Sequence, residues 1–114
     1  LSQIPAIDYL PIAGLVKLEE LDLSNTGIEE LDALTGLTNL KKLNLSGTNI
    51  KSLKGIEPLR NLVELDVAST DLRSLKALDG MRALKKLTCF NTRLTPRGVD
   101  SFKESFPKCE VRFY

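Results

Sequence analysis

The chain has 114 residues, of which 42% are apolar and 27% charged, the balance of one folded globular domain rather than a disordered segment. Its formal charge is +1, so no global field favours nucleic acid or an anionic membrane, and no apolar run approaches the ~20 residues that span a bilayer as a helix. There is no histidine, which rules out Ser–His and Cys–His nucleophile systems and removes the commonest metal ligand, and two cysteines are too few for a disulfide framework.

The sequence begins at Leu1 with no signal-peptide pattern before the periodic region, as expected of a processed or trimmed chain or of part of a longer one. Residues 1–15 carry Ile4, Ile7, Leu10, Ile12 and Leu15, a spacing one residue short of the template that follows. This segment is expected to be a partial N-terminal repeat that hides one end of the core.

Residues 16–94 repeat with a period of 22. Leu18, Leu40, Leu62 and Leu84 form one column, Leu21, Leu43, Leu65 and Leu87 a second, and Leu23, Leu45, Val67 and Cys89 a third. Thr26, Thr48, Thr70 and Thr92 follow, then Ile28, Ile50, Leu72 and Leu94. Three more columns start at Leu31, Leu34 and Leu37 and run through three units. The resulting template is LxxLxLxxTx(I/L)xxLxx(L/I)xx(L/M). Its LxL core has the period of a strand with one buried face, so each repeat is expected to give one short strand, with successive strands parallel and about 4.8 Å apart. Apolar residues at every third position, as in Ile28, Leu31, Leu34 and Leu37, suit a 3₁₀-like or irregular return path. Stacked leucines then bury a continuous core that no single repeat forms alone. The threonine hydroxyls are expected to satisfy backbone groups in the turn after each strand.

This template resembles leucine-rich repeats, whose core is LxxLxLxxN followed by an apolar residue. The stretch LTNLKKLNLSGTNIKSLKGIEPL, from Leu37 to Leu59, resembles the 22-residue type of bacterial internalins and of a eukaryotic phosphatase regulator. The likeness covers about residues 15–94 and departs from the pattern at one column, where threonine stands in place of the ladder asparagine. It implies an α/β fold: a right-handed solenoid with a curved parallel β-sheet on the concave side, an irregular or 3₁₀ convex side, and a C-terminal helical cap. It also implies a non-catalytic module that binds another protein through the concave face. Its internalin side favours a bacterial surface or secreted protein over a cytoplasmic one.

Residues 95–114 are expected to form the cap. Thr95-Pro96 reads as a helix N-cap followed by proline in the first turn, Val99, Phe102 and Phe106 share a helical face, and Pro107 stops the helix. Adding 22 to Leu87 and Cys89 reaches Cys109 and Val111, so CEVRFY reads as a final edge strand. Phe102, Phe106, Phe113 and Tyr114 are read as cap packing rather than a ligand site. Cys89 and Cys109 are expected to be buried free thiols rather than a disulfide.

Function in a repeat protein lies on the columns between the buried ones. The outward strand positions are Glu20, Lys42, Glu64 and Lys86, then Asp22, Asn44, Asp66 and Thr88, then Ser24, Ser46, Ala68 and Phe90. Residues 16–37 hold one basic and six acidic groups, 38–59 four and one, 60–81 three and four, and 82–103 six and one. Glu19 is expected to pair with Lys41, Glu20 with Lys42, Glu29 with Lys51 and Asp32 with Lys54, fixing which repeat lies beside which. The row Asp22, Asn44, Asp66, Thr88 is left without such pairs and, with Phe90 and Arg93, makes the candidate partner-binding set. For Phe90 two readings stand: an aromatic contact residue, or a side chain packed on the last strand near Arg112.

Other chemistry is weak. Asp22 and Asp66 lie two strands apart, but on an open face nothing raises one carboxyl into general-acid range. No compact oxygen-rich loop suggests calcium. Lys85, Lys86, Arg93, Arg97 and Lys108 lack the stacking aromatics of nucleic-acid binders. The sequence therefore points to a monomeric, cofactor-free and metal-free protein-binding module. The alternative is a structural spacer or an accessory module of a larger, cell-surface protein.

Overall fold

The computed structural model describes residues 17–113, so the partial repeat expected over 1–15 lies outside the described residues. Each LxL motif forms one three-residue strand: β1 (Glu20–Asp22), β2 (Lys42–Asn44), β3 (Glu64–Asp66) and β4 (Lys86–Thr88). A fifth, β5 (Glu110–Arg112), completes a parallel sheet in the order β1-β2-β3-β4-β5. The central leucine of each of the first four strands points inward and is at most 4% exposed, while its two neighbours point outward. Through β4 the register equals the sequence period, with Leu21 opposite Leu43, Leu43 opposite Leu65 and Leu65 opposite Leu87.

The return path follows the three-residue apolar spacing. Leu34 N–H donates to the carbonyl of Leu31, Leu37 to Leu34 and Leu40 to Leu37, and the same i to i−3 chain recurs from Leu53 to Leu62 and from Leu75 to Leu84. Two of these stretches close into 3₁₀ turns, at Asp32–Leu34 and Lys76–Leu78. With three residues per turn, every third side chain falls on one edge, and that edge is buried. The leucine columns, Val99 and Phe102 merge into one core. Deleting one such fully buried leucine side chain costs about 2–5 kcal/mol.

The turn after each strand carries two further columns. Thr26, Thr48 and Thr70 donate their hydroxyls to the carbonyls of Leu23, Leu45 and Val67 at 2.7 Å, and Thr92 to that of Cys89 at 3.0 Å. The threonine ladder therefore closes each turn on itself. One residue earlier, Asn25, Gly47, Ser69 and Asn91 all adopt left-handed backbone, with φ of 60°, 70°, 58° and 54°. This fourfold column escapes a reading based on hydrophobic period, although asparagine and glycine are the residues that tolerate such φ.

The cap is a helix, α1 (Pro96–Ser105), whose N-cap Thr95 accepts the Gly98 N–H at 3.1 Å. Val99 and Phe102 are buried, and Phe102 stacks on Phe106 with ring centroids 4.4 Å apart. No helix among the described residues is long and apolar enough to cross a membrane.

At β5 the register departs from the expected 22. Lys86 pairs with Glu110, Leu87 with Val111 and Thr88 with Arg112, an offset of 24. A slip of two residues preserves which face each side chain takes, so Val111 still backs the core. An offset of 22 would have set Lys108 beside Lys86; the observed one sets a carboxylate there. It also places Arg112 across from Thr88, so the packing of Phe90 on Arg112 expected from the repeat period is not the strand pairing. Cys89 and Cys109 are free, as expected, but only Cys89 is fully buried.

Candidate functional site: the outward face of the sheet

Because β1 to β4 share one register, their outward side chains line up in two rows across the strands. The rows border an open groove of about 410 Å³, lined by Glu20, Asp22, Lys42, Asn44, Glu64, Asp66, Lys86 and Thr88. Four of the six expected contact residues, Asp22, Asn44, Asp66 and Thr88, thus come together. Phe90 and Arg93 do not line the groove. Phe90 lies past the end of β4 and, at 36% exposure, is the exposed large apolar side chain among the described residues. Arg93 sits in the following turn, where its Nε pairs with Asp71 Oδ1 at 3.2 Å.

The Asp22–Thr88 row is not unengaged, as its lack of charge partners suggested. Asp22 Oδ1 accepts the Ser24 N–H at 2.9 Å, Asn44 Oδ1 that of Ser46 at 3.0 Å, and Asp66 Oδ1 that of Ala68 at 3.0 Å. These Asx turns end the strands and fix each side chain on the rim of the groove. Asn44 Oδ1 also accepts the Ser46 hydroxyl at 2.8 Å. Hydrogen bonds from Ser24, side chain first and backbone second, hold the Asp22 carboxyl below the usual carboxylate range.

The ion pairs follow only part of the expected pattern. Lys41 meets Glu19 at 3.3 Å as expected. Lys42 meets Glu64 at 3.2 Å rather than Glu20. The Glu64 hydrogen bond and charge, with a further contribution from Glu20, raise the Lys42 ammonium above its usual value. Glu29, Asp32, Lys51 and Lys54 do not form the expected pairs but line a separate depression on another side of the solenoid. Side-chain entropy and full hydration make such long exposed pairs marginal. Sequence reasoning assigned Glu20, Lys42, Glu64 and Lys86 to internal pairing; the structure adds them to the groove lining. Their alternating sign at the strand spacing was the available signal. Among the described residues no group of three or more Cys, Asp or Glu is arranged to hold a metal ion.

The family model for leucine-rich repeats in two copies matches residues 16–59. A leucine-rich-repeat protein of Leptospira interrogans superposes on 91% of this chain with a TM-score of 0.82 and 28% identity. An internalin of Listeria monocytogenes superposes on 92% with a TM-score of 0.79 and 20% identity. The internalin C2 of the same organism does so on 92% with a TM-score of 0.80 and 22% identity. The chain spans 27%, 32% and 46% of the lengths of these three structures. No curated protein matches it in sequence. A 22-residue template, one short parallel strand per unit and these likenesses together give the chain leucine-rich repeats over residues 16–59 and the solenoid fold shared with internalins.

Proposed function

We propose that this solenoid is a non-catalytic recognition module that binds another protein through the outward face of its sheet. The supporting observation is the continuous groove, whose charged and polar side chains flank Leu21, Leu43 and Leu65 and are held in rows by strand register and, in three strands, by Asx turns. Surface so ordered loses little side-chain freedom on binding, which lowers the entropic cost of association. Phe90 and Arg93 lie beyond the groove and would extend the contact past the end of β4. The repeat family supports the same use. Its internalin side favours a bacterial surface or secreted setting, with the chain acting as a monomer.

The test is capture of partner proteins by wild-type chain and by two folded variants. Glu20→Lys with Glu64→Lys alters the sheet face; Lys51→Glu with Lys54→Glu alters the distant depression. Proteins retained by wild type and the second variant but released by the first establish sheet-face binding. Equal retention by both variants rejects it. A spacer with no ligand of its own would retain nothing above a blank matrix.

A further inference from the structure

The fold sets the spacing of the charges on the sheet face. Across the five strands the first outward row reads Glu20, Lys42, Glu64, Lys86 and Glu110, paired neighbour to neighbour in register. Signs alternate at each strand step of about 4.8 Å and repeat every ~9.6 Å. The second row strengthens the acidic strands β1 and β3 through Asp22 and Asp66, while β2 and β4 carry uncharged Asn44 and Thr88. Internal pairing uses only part of this set. Lys42 meets Glu64, and Glu110 meets Arg112, whereas among the described residues Glu20 and Lys86 make no ion pair.

A partner segment lying across the strands has to present its own charges at the same step. An extended strand shows alternate residues to one face, at ~6.6 Å, and drifts out of phase. A polyproline helix advances ~3.1 Å per residue with three per turn, so every third residue faces the sheet at ~9.3 Å. That spacing meets the acidic strands but offers nothing on the same face at the level of Lys42 and Lys86. An α-helix advances ~1.5 Å per residue, so residues i and i+7 share a face ~10.5 Å apart. Its residues i+3 and i+4 fall between them on that face, at ~4.5 and ~6 Å. The mismatch of under ~1 Å per period is within the flexibility of arginine and lysine side chains.

We propose that the sheet face docks an α-helical segment of a partner protein, with basic residues at i and i+7 and acidic residues at i+3 or i+4 and one heptad further on. This rests on the sheet-face reading above and specifies its occupant. The bases meet Glu20 and Glu64 with their flanking aspartates, and the acids meet Lys42 and Lys86. Charge register of this kind sets orientation and partner choice more than raw affinity.

The test uses the full chain and three labelled peptides, read by fluorescence anisotropy at low and at physiological salt. The first is an 18-residue stapled helix with Arg at i, i+7 and i+14 and Glu at i+4 and i+11 on one face. The second has the same composition with its charges in blocks. The third is a polyproline peptide with Arg at every third position. The proposal expects the first to bind at least tenfold tighter than either other peptide. Glu64→Arg should lose at least tenfold for it, and exchanging the facing arginine of the peptide for Glu should restore binding. Glu20→Arg, which breaks no ion pair among the described residues, repeats the loss should Glu64→Arg fold poorly. Equal binding of the two helices, tighter binding of the polyproline peptide, or no change with either variant overturns the helical assignment. If natural proteins are still captured through the sheet face in those cases, the recognition reading stands; if capture also ignores that face, both fail.

Discussion

The left-handed column offers a sharp test of how this solenoid is held. Gly47 lies at φ +70°, and a Cβ placed there would overlap the Oδ1 of Asn25, one repeat below. In Gly47→Ala the left-handed backbone costs about 1–2 kcal/mol. The stiffer unfolded chain returns about 0.4–1 kcal/mol of that. Displacing the Asn25 side chain adds about 0.5–1 kcal/mol, the scale of coupling between touching residues. The net loss is about 1.5 kcal/mol, a fall in Tm of roughly 6 °C for a chain of this size. Urea unfolding of a double-mutant cycle separates the parts. Asn25→Gly keeps a residue that accepts left-handed φ and removes the obstructing carboxamide. In that background Gly47→Ala should cost about 0.5–1 kcal/mol less than in wild type. Equal cost in both backgrounds, or a substitution that does not destabilise at all, would refute the interlocking of these two turns.

Three further outcomes are expected. Lys42→Glu sets three carboxylates in line across β1 to β3 and should lower Tm at low salt, with the difference shrinking in ~1 M salt, where screening reaches ~3 Å; a salt-independent difference argues against a charge effect. Asp22→Asn keeps an oxygen that accepts the Ser24 N–H but removes the charge, so it should be modestly less stable than wild type at neutral pH, with the difference closing in acid. The wild-type carboxyl sits below its ordinary value of 3.8 in the fold, so its contribution is present above that pH and disappears as pH falls through the lower folded value. Wild type should therefore lose more stability than Asp22→Asn between neutral pH and pH ~3, and parallel pH profiles would contradict this. Burial pushes the Cys89 thiol up to about 11 from 9.0. The stability it contributes is full below pH 9.0 and is lost as pH rises towards 11, because the unfolded thiol ionises first. In the native protein near pH 8 an aromatic disulfide reagent should modify half-buried Cys109 well before Cys89, while both react together in denaturant; equal native rates would show that the Cys89 column is open.

The repeat, its strands, its 3₁₀ return path and its helical cap were legible in the residues, because each is a local consequence of hydrophobic period and capping chemistry. Leucines two apart suit a strand with one dry face, and an unbroken run of apolar residues every third position suits a tight return. Thr95-Pro96 marks a helix start whatever surrounds it. The outward rows were legible too, since a 22-residue period forces equivalent positions into line. What each outward side chain does was not. Whether Lys42 leans to Glu20 or Glu64, and whether Asp22 faces solvent or closes its own turn, depends on sub-ångström placement that a period does not carry. The last strand shows the boundary most clearly. The period extrapolates to Lys108 beside Lys86, yet the observed register is slipped by two residues, which keeps Val111 inward and brings Glu110 rather than a second ammonium alongside Lys86. Periodicity determined which faces exist and which residues populate them. Only three-dimensional packing decided the final register and the partners of the polar groups, because those choices balance small energies over neighbours distant in sequence.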